Sequence, residues 1–144
     1  MTASYLAEQL DAARRAGDAL QASLDRLAGD LPLPEELTQD QQVELEALTA
    51  RFARLADILL QKVFRAIDAA ELEDEGSLID RLNRAEKRGL VDSAADWRQI
   101  RELRNQVAHE YVLADLRELF DAALKHAPTL LETLERCQAH APQR

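Results

Sequence analysis

The residues best equipped for chemistry in this sequence stand close together as Arg104-Asn105-x-x-x-His109-x-Tyr111. A histidine titrates near neutral pH and can take or give a proton. An arginine is a permanent cation whose planar fork suits a phosphate and the added charge of its transition state. An amide and a phenol can orient a ribose and its phosphate. Together these groups are the parts of a metal-free cleavage of RNA, with Arg104, Asn105 and His109 as the candidate catalytic residues and no metal or cofactor called for.

Spacing complicates that picture. At about 100° per residue, Arg104 and His109 fall roughly 140° apart on a continuous helix. Arg101, Asn105 and His109 form an i, i+4, i+8 row instead, while Arg104 and Tyr111 nearly coincide. Either the helix breaks inside the motif, or the working site is a wide groove shared with another surface. Two copies of the motif meeting across a homodimer would make such a groove.

The surrounding charge favours a polyanion locally and opposes it globally. Between Arg81 and Arg104 seven basic residues (Arg81, Arg84, Lys87, Arg88, Arg98, Arg101 and Arg104) face four acidic ones, while the whole chain carries −9. Arg101, Arg98, Lys87 and Arg88 are the candidate RNA contacts, since an acidic protein must hold RNA at a local patch.

The elements that must position these residues follow from composition and periodicity. Hydrophobic residues make up 47% of the 144, Leu and Ala dominate, and Gly and Pro number four each. That composition predicts an all-α fold. Leu6, Leu10, Ala13, Gly17, Leu20, Leu24 and Leu27 make one amphipathic stripe, which Gly29, Pro32 and Pro34 should end. Leu45, Leu48, Phe52, Leu55, Leu59, Val63, Ile67 and Ala70 make a second. Extra apolar positions at Ile58, Leu60 and Phe64 widen it, as expected of a central helix.

Glu71, Glu73, Asp74 and Glu75 then predict a solvated, mobile loop. Ser77 and Ser93 are N-cap candidates for a third and a fourth helix, with Gly89 between as a stop. A last helix starts after Tyr111, with Pro128 as a kink or joint and a frayed tail after about residue 137. Trp97 reads as a packing residue, His126 and His140 as surface residues, and Cys137 as packed or near a frayed end instead of reactive. The expectation is one domain over residues 1–144, an up-and-down bundle of four to five helices. A single cysteine, no basic-then-apolar start over Met1–Asp11 and no span of about 20 apolar residues fit a cytoplasmic protein without a membrane segment.

Arg104-Asn105-x-x-x-His109 resembles the signature of HEPN domains, helical bundles that include many ribonucleases. The longer form Arg104-x4-His109-x-Tyr111 resembles the HepT toxins of HepT–MntA type toxin–antitoxin pairs. Gly89-Leu90 and Trp97-Arg98-x-Ile100-Arg101-x-Leu103 look like that group's lead-in, so the likeness sits mainly in residues 76–111. The resemblance implies a homodimer whose motifs face each other and a metal-independent endoribonuclease. In it His109 acts as acid/base, Arg104 stabilises phosphate and Asn105 orients. It further implies a nucleotidyltransferase antitoxin that silences the toxin by AMPylation of Tyr111. Two other classes stand beside it: a non-catalytic HEPN subunit that binds a nucleotidyltransferase or its substrate, and a plain helical interaction domain.

Overall fold

A computed structural model describes residues 3–109 and 116–140. They form five helical rods and no strand among the described residues. Helix α1 (Ala3–Leu27) closes in a single 3-10 turn, Ala28–Asp30, where Gly29 and the prolines stop the stripe. The second rod is α2 (Gln39–Ile58), a π turn (Leu59–Val63) and α3 (Phe64–Ala70) in unbroken succession. Then come α4 (Leu78–Lys87), α5 (Ala94–Ala108) and α6 (Leu116–Ala139). The all-α bundle expected from composition is therefore the fold.

The helices begin where side chains can supply missing hydrogen bonds. Thr38 and Gln41 form a reciprocal capping box at α2, and Ser77 and Asp80 form another at α4. Ser93 Oγ accepts from the Asp96 N–H at the start of α5, and the Glu86 carboxylate accepts from the Ala94 N–H at 2.6 Å. Gly89, at φ 76°, adopts the left-handed turn that ends α4 at low steric cost.

α2 is the centre of the bundle and packs on α1, α5 and α6. α1 and α2 run antiparallel: Arg26 near the end of α1 pairs with Glu44 near the start of α2, while Arg51 reaches back to Ser23 Oγ and the Ala19 carbonyl. Gly17 lies where α1 meets α6, with the Leu134 side chain 2.5 Å from where a Cβ would stand. Leu, Phe and Ala side chains fill the interior, and Trp97 is fully buried edge-on to Phe64, their centroids 5.3 Å apart. The predicted packing role of Trp97 is what the structure shows. Arg117 on α6 ties down the α1–α2 connection by donating to the carbonyls of Leu33, Pro34 and Glu35.

Three sequence expectations need correction. α6 runs from Leu116 to Ala139 without a joint at Pro128, which sits inside it. The acidic stretch after Ala70 is not simply solvated: Glu71 pairs with Arg88 and with His140, at 2.8 Å from the imidazole, Arg84 reaches Glu73, and Arg65 pairs with Glu75. His140 is consequently part of a packed ion network instead of a plain surface residue. The sequence showed four like charges together but not the partners Arg65, Arg84, Arg88 and His140 that packing brings to them.

Candidate functional site

α5 ends at Ala108, inside the Arg104–Tyr111 motif. His109 is its C-cap, with extended backbone angles (φ −95°, ψ 157°) and an exposed side chain, and its N–H donates to the Gln106 carbonyl. So the first of the two geometric options holds: the helix breaks within the motif, and the angle calculated for a continuous helix stops applying at His109. Tyr111, with Glu110 before it, lies outside the described residues.

Arg104 and Asn105 sit one turn above that break, where α5 packs against α2. Arg104 is half-buried and held side-on by Asp57: Nε lies 2.5 Å from Oδ1, and Nη2 donates to Oδ2 at 2.8 Å. The hydrogen bond and charge of Asp57 raise the Arg104 pKa above its ordinary value, so the guanidinium stays a cation at any accessible pH. Nη1 is directed toward Asn105 Oδ1 at 3.3 Å. Two edges of the fork are thus occupied by a carboxylate and an amide, which fix its plane.

Asp57 was not among the residues singled out by sequence. It stands on another rod, 47 positions earlier, in a stretch that reads as ordinary amphipathic helix.

Beside this pair opens a cleft of about 480 Å³, lined by Asp57, Ile58, Leu60, Gln61, Lys62, Arg101, Arg104 and Asn105. One wall is α5; the other is the π turn. Such wide turns gather at functional sites because they displace side chains from the helical repeat. Here the turn is braced from behind. The buried Arg81 donates to the Leu60 carbonyl at 3.1 Å, and its desolvation lowers its pKa from the ordinary arginine value.

The remaining basic residues divide by environment. Arg98 and Arg101 on α5 and Lys87 on α4 are exposed. Arg88 is turned inward: it pairs with the buried Asp68 and with Glu71, and Arg84 pairs with the same Asp68 at 3.3 Å. The net positive segment of sequence therefore splits in space. Arg81, Arg84 and Arg88 hold α4 to the π turn and α3, while Arg101 and Arg104 face the cleft with Asn105.

Of the expected catalytic residues, Arg104 and Asn105 touch each other and line the cleft. His109 stands at the helix end and does not line it. His126 on α6 is half-buried, and burial lowers its pKa below the ordinary histidine value, with Lys125 adding to the effect.

A helical bundle that sets an Arg-Asn pair in a cationic cleft one turn before a capping histidine defines a class of protein by both architecture and site. Residues 19–137 match the family described as "Ribonuclease HepT-like". The chain belongs to that HepT-like family, within the HEPN superfamily. No match is found among curated proteins or among solved structures. No helix among the described residues is long and apolar enough to cross a membrane.

Proposed function

We propose that this chain is a metal-independent endoribonuclease acting as the toxin of a toxin–antitoxin pair, with His109, Arg104 and Asn105 as its catalytic groups. The observation that carries the reading is the held fork of Arg104, a permanently charged guanidinium fixed beside an amide at the edge of a cationic cleft. Membership of a ribonuclease family supplies the substrate class.

In this reading His109 takes the proton of the ribose 2′-hydroxyl or returns one to the leaving oxygen. Arg104 stabilises the charge gathering on the phosphorus-bound oxygens, and Asn105 orients the groups around it. A homodimer supplies the second copy of the motif, so that the histidine of one protomer can serve the cleft of its partner. Arg98, Arg101 and Lys87 guide the strand. Arg88 contributes to the same face only through what it anchors, since Asp68 and Glu71 hold its guanidinium.

Regulation belongs to the same reading. A minimal nucleotidyltransferase antitoxin transfers AMP from ATP to the hydroxyl of Tyr111, two residues after His109, with pyrophosphate leaving. The added nucleotide brings bulk and negative charge to the place an RNA phosphate must occupy, so blockage and repulsion act together.

The test is cleavage of RNA by the purified chain in the presence of a chelator, beside His109→Ala and Arg104→Lys. Removing the acid/base should lower the rate by roughly 10²–10⁴-fold, and lysine cannot reproduce the two-point hold on Asp57. No cleavage by the wild-type chain, together with unimpaired growth on its expression, would sink the proposal. After co-expression with the partner, mass spectrometry should find AMP on the wild-type chain and none on Tyr111→Phe.

One observation favours a second reading. Asp57 already neutralises Arg104, and the chain carries −9 overall, as would suit a non-catalytic subunit that only binds a nucleotidyltransferase. A stable complex with that partner, with wild-type and His109→Ala equally silent toward RNA, is the outcome that selects it.

A further inference from the structure

The cleft beside Arg104 has a wall that neither the motif nor the family match accounts for. Gln61 and Lys62 of the π turn line it opposite Arg101 and Asn105. On a regular α-helix Lys62 would stand roughly 140° from Asp57. A π turn spends more residues per revolution, so Lys62 lags behind that angle and remains on the side of the rod that faces α5. Arg81 clamps the turn through the Leu60 carbonyl, so this displacement is built into the packing.

Charge says what the cleft takes. Its lining carries Lys62, Arg101 and Arg104 against Asp57 alone, and Asp57 is matched by Arg104. Two cations from opposite walls, Lys62 and Arg101, therefore remain over for a ligand, and neither has an ion-pair partner among the described residues. The amides of Gln61 and Asn105 add neutral donors. Within the cleft Arg101 lies farthest from the helix end, about 12 Å from His109 along α5. A phosphate held between Lys62 and Arg101 is therefore not the one His109 can reach from the end of the same helix.

We propose that the cleft between the π turn and α5 is a second phosphodiester subsite, in which Lys62 and Arg101 grip the phosphate next to the one that is cut. It rests on the ribonuclease reading above and extends it. Lys62 supplies a point charge, Gln61 and Asn105 donate to phosphate or ribose oxygens, and Arg104 stands between this subsite and the reacting phosphate. The subsite sets how the strand lies and contributes binding, not proton transfer.

The experiment measures binding of a 2′-O-methyl oligoribonucleotide, which cannot be cleaved, to the full chain between 0.1 and 0.5 M salt. Variants are Lys62→Met and Lys125→Met, the latter changing an exposed lysine on α6 with the same loss of charge. Lys62→Met should bind about five- to tenfold more weakly and reduce the slope of log K against log salt by about 0.7. Lys125→Met should match the wild type. With cleavable RNA, Lys62→Met should raise KM by the same factor and leave kcat within about twofold.

Wild-type binding with no loss in Lys62→Met, or a loss equalled by Lys125→Met, overturns the subsite and leaves the ribonuclease reading standing. Absence of wild-type RNA binding overturns both. Lys62 is exposed, so an unaltered melting temperature is expected and guards against a folding artefact.

Discussion

At Arg104, charge and position come from a residue that no local pattern announces. Asp57 accepts from two nitrogens of the guanidinium and leaves Nη1 beside Asn105. Asp57→Asn keeps an acceptor but removes the charge that fixes the fork. Because placement within about an ångström governs such groups, cleavage should fall between ten- and 10²-fold. Stability should change by less than about 1 kcal/mol, since both side chains are about one-third exposed, 32% and 39%. Single-turnover cleavage and a thermal melt separate the two effects; faster cleavage would show that Asp57 restrains Arg104 instead of presenting it.

Of the site, Arg104 and Asn105 were readable because types and spacing lay within one helix. Asp57, Gln61 and Lys62 were not, because their contribution depends on how another rod turns. Cys137 is the simpler case. Its burial at 1% exposure pushes the thiol pKa up to about 12, so it should resist an aromatic disulfide reagent at pH 8 until the bundle unfolds. Rapid labelling of the folded chain would contradict that burial.

The helices themselves were largely legible, because each is an amphipathic stripe bounded by a cap or a glycine. Ser77, Ser93 and Gly89 do what their types predict. What escaped is where neighbours override local preference. Leu59–Val63 reads as plain helix, and only the backbone bond from the Phe64 N–H to the Leu59 carbonyl, five residues back, shows the widened turn. Pro128 reads as a break, yet the long apolar face of α6 carries the helix through it.

The acidic segment after Ala70 reads as loop, yet Glu71, with Asp68 near the end of α3, gathers Arg84 and Arg88 from α4 and His140 from just past α6. Asp68→Ala leaves two largely buried guanidinium groups without their shared counter-ion. Urea unfolding should record a loss of about 3 kcal/mol, the range for breaking a buried pair on one side. A loss below about 1 kcal/mol would show that Glu71 and Glu73 alone satisfy the two arginines. Midway along α1, Gly17→Val would drive new methyl groups into Leu134 and should lower stability by about 1–3 kcal/mol.

Across the whole molecule, an excess of nine negative charges stands beside a cleft lined by Lys62, Arg101 and Arg104 against Asp57. These opposing fields have different ranges, and salt separates them. At about 0.01 M ionic strength the screening length is about 30 Å, so RNA approaching the cleft also feels the acidic remainder of the surface. At about 0.1 M it shrinks to about 10 Å, which removes the distant repulsion while contacts inside the cleft persist. Still more salt competes with those contacts through counter-ion release. The value of kcat/KM on a short oligoribonucleotide should therefore rise and then fall between 0.01 and 0.5 M salt, with its maximum near 0.1 M. A basic ribonuclease, attractive at every range, should only decline. Lys62→Met should shift the maximum to lower salt, because the short-range attraction weakens while the long-range repulsion is almost unchanged. A monotonic decline in the wild-type chain would mean that the acidic surface is turned away from the path of the RNA. An assembly that buries its acidic faces between protomers would produce that result, and light scattering across the same salt series would detect it.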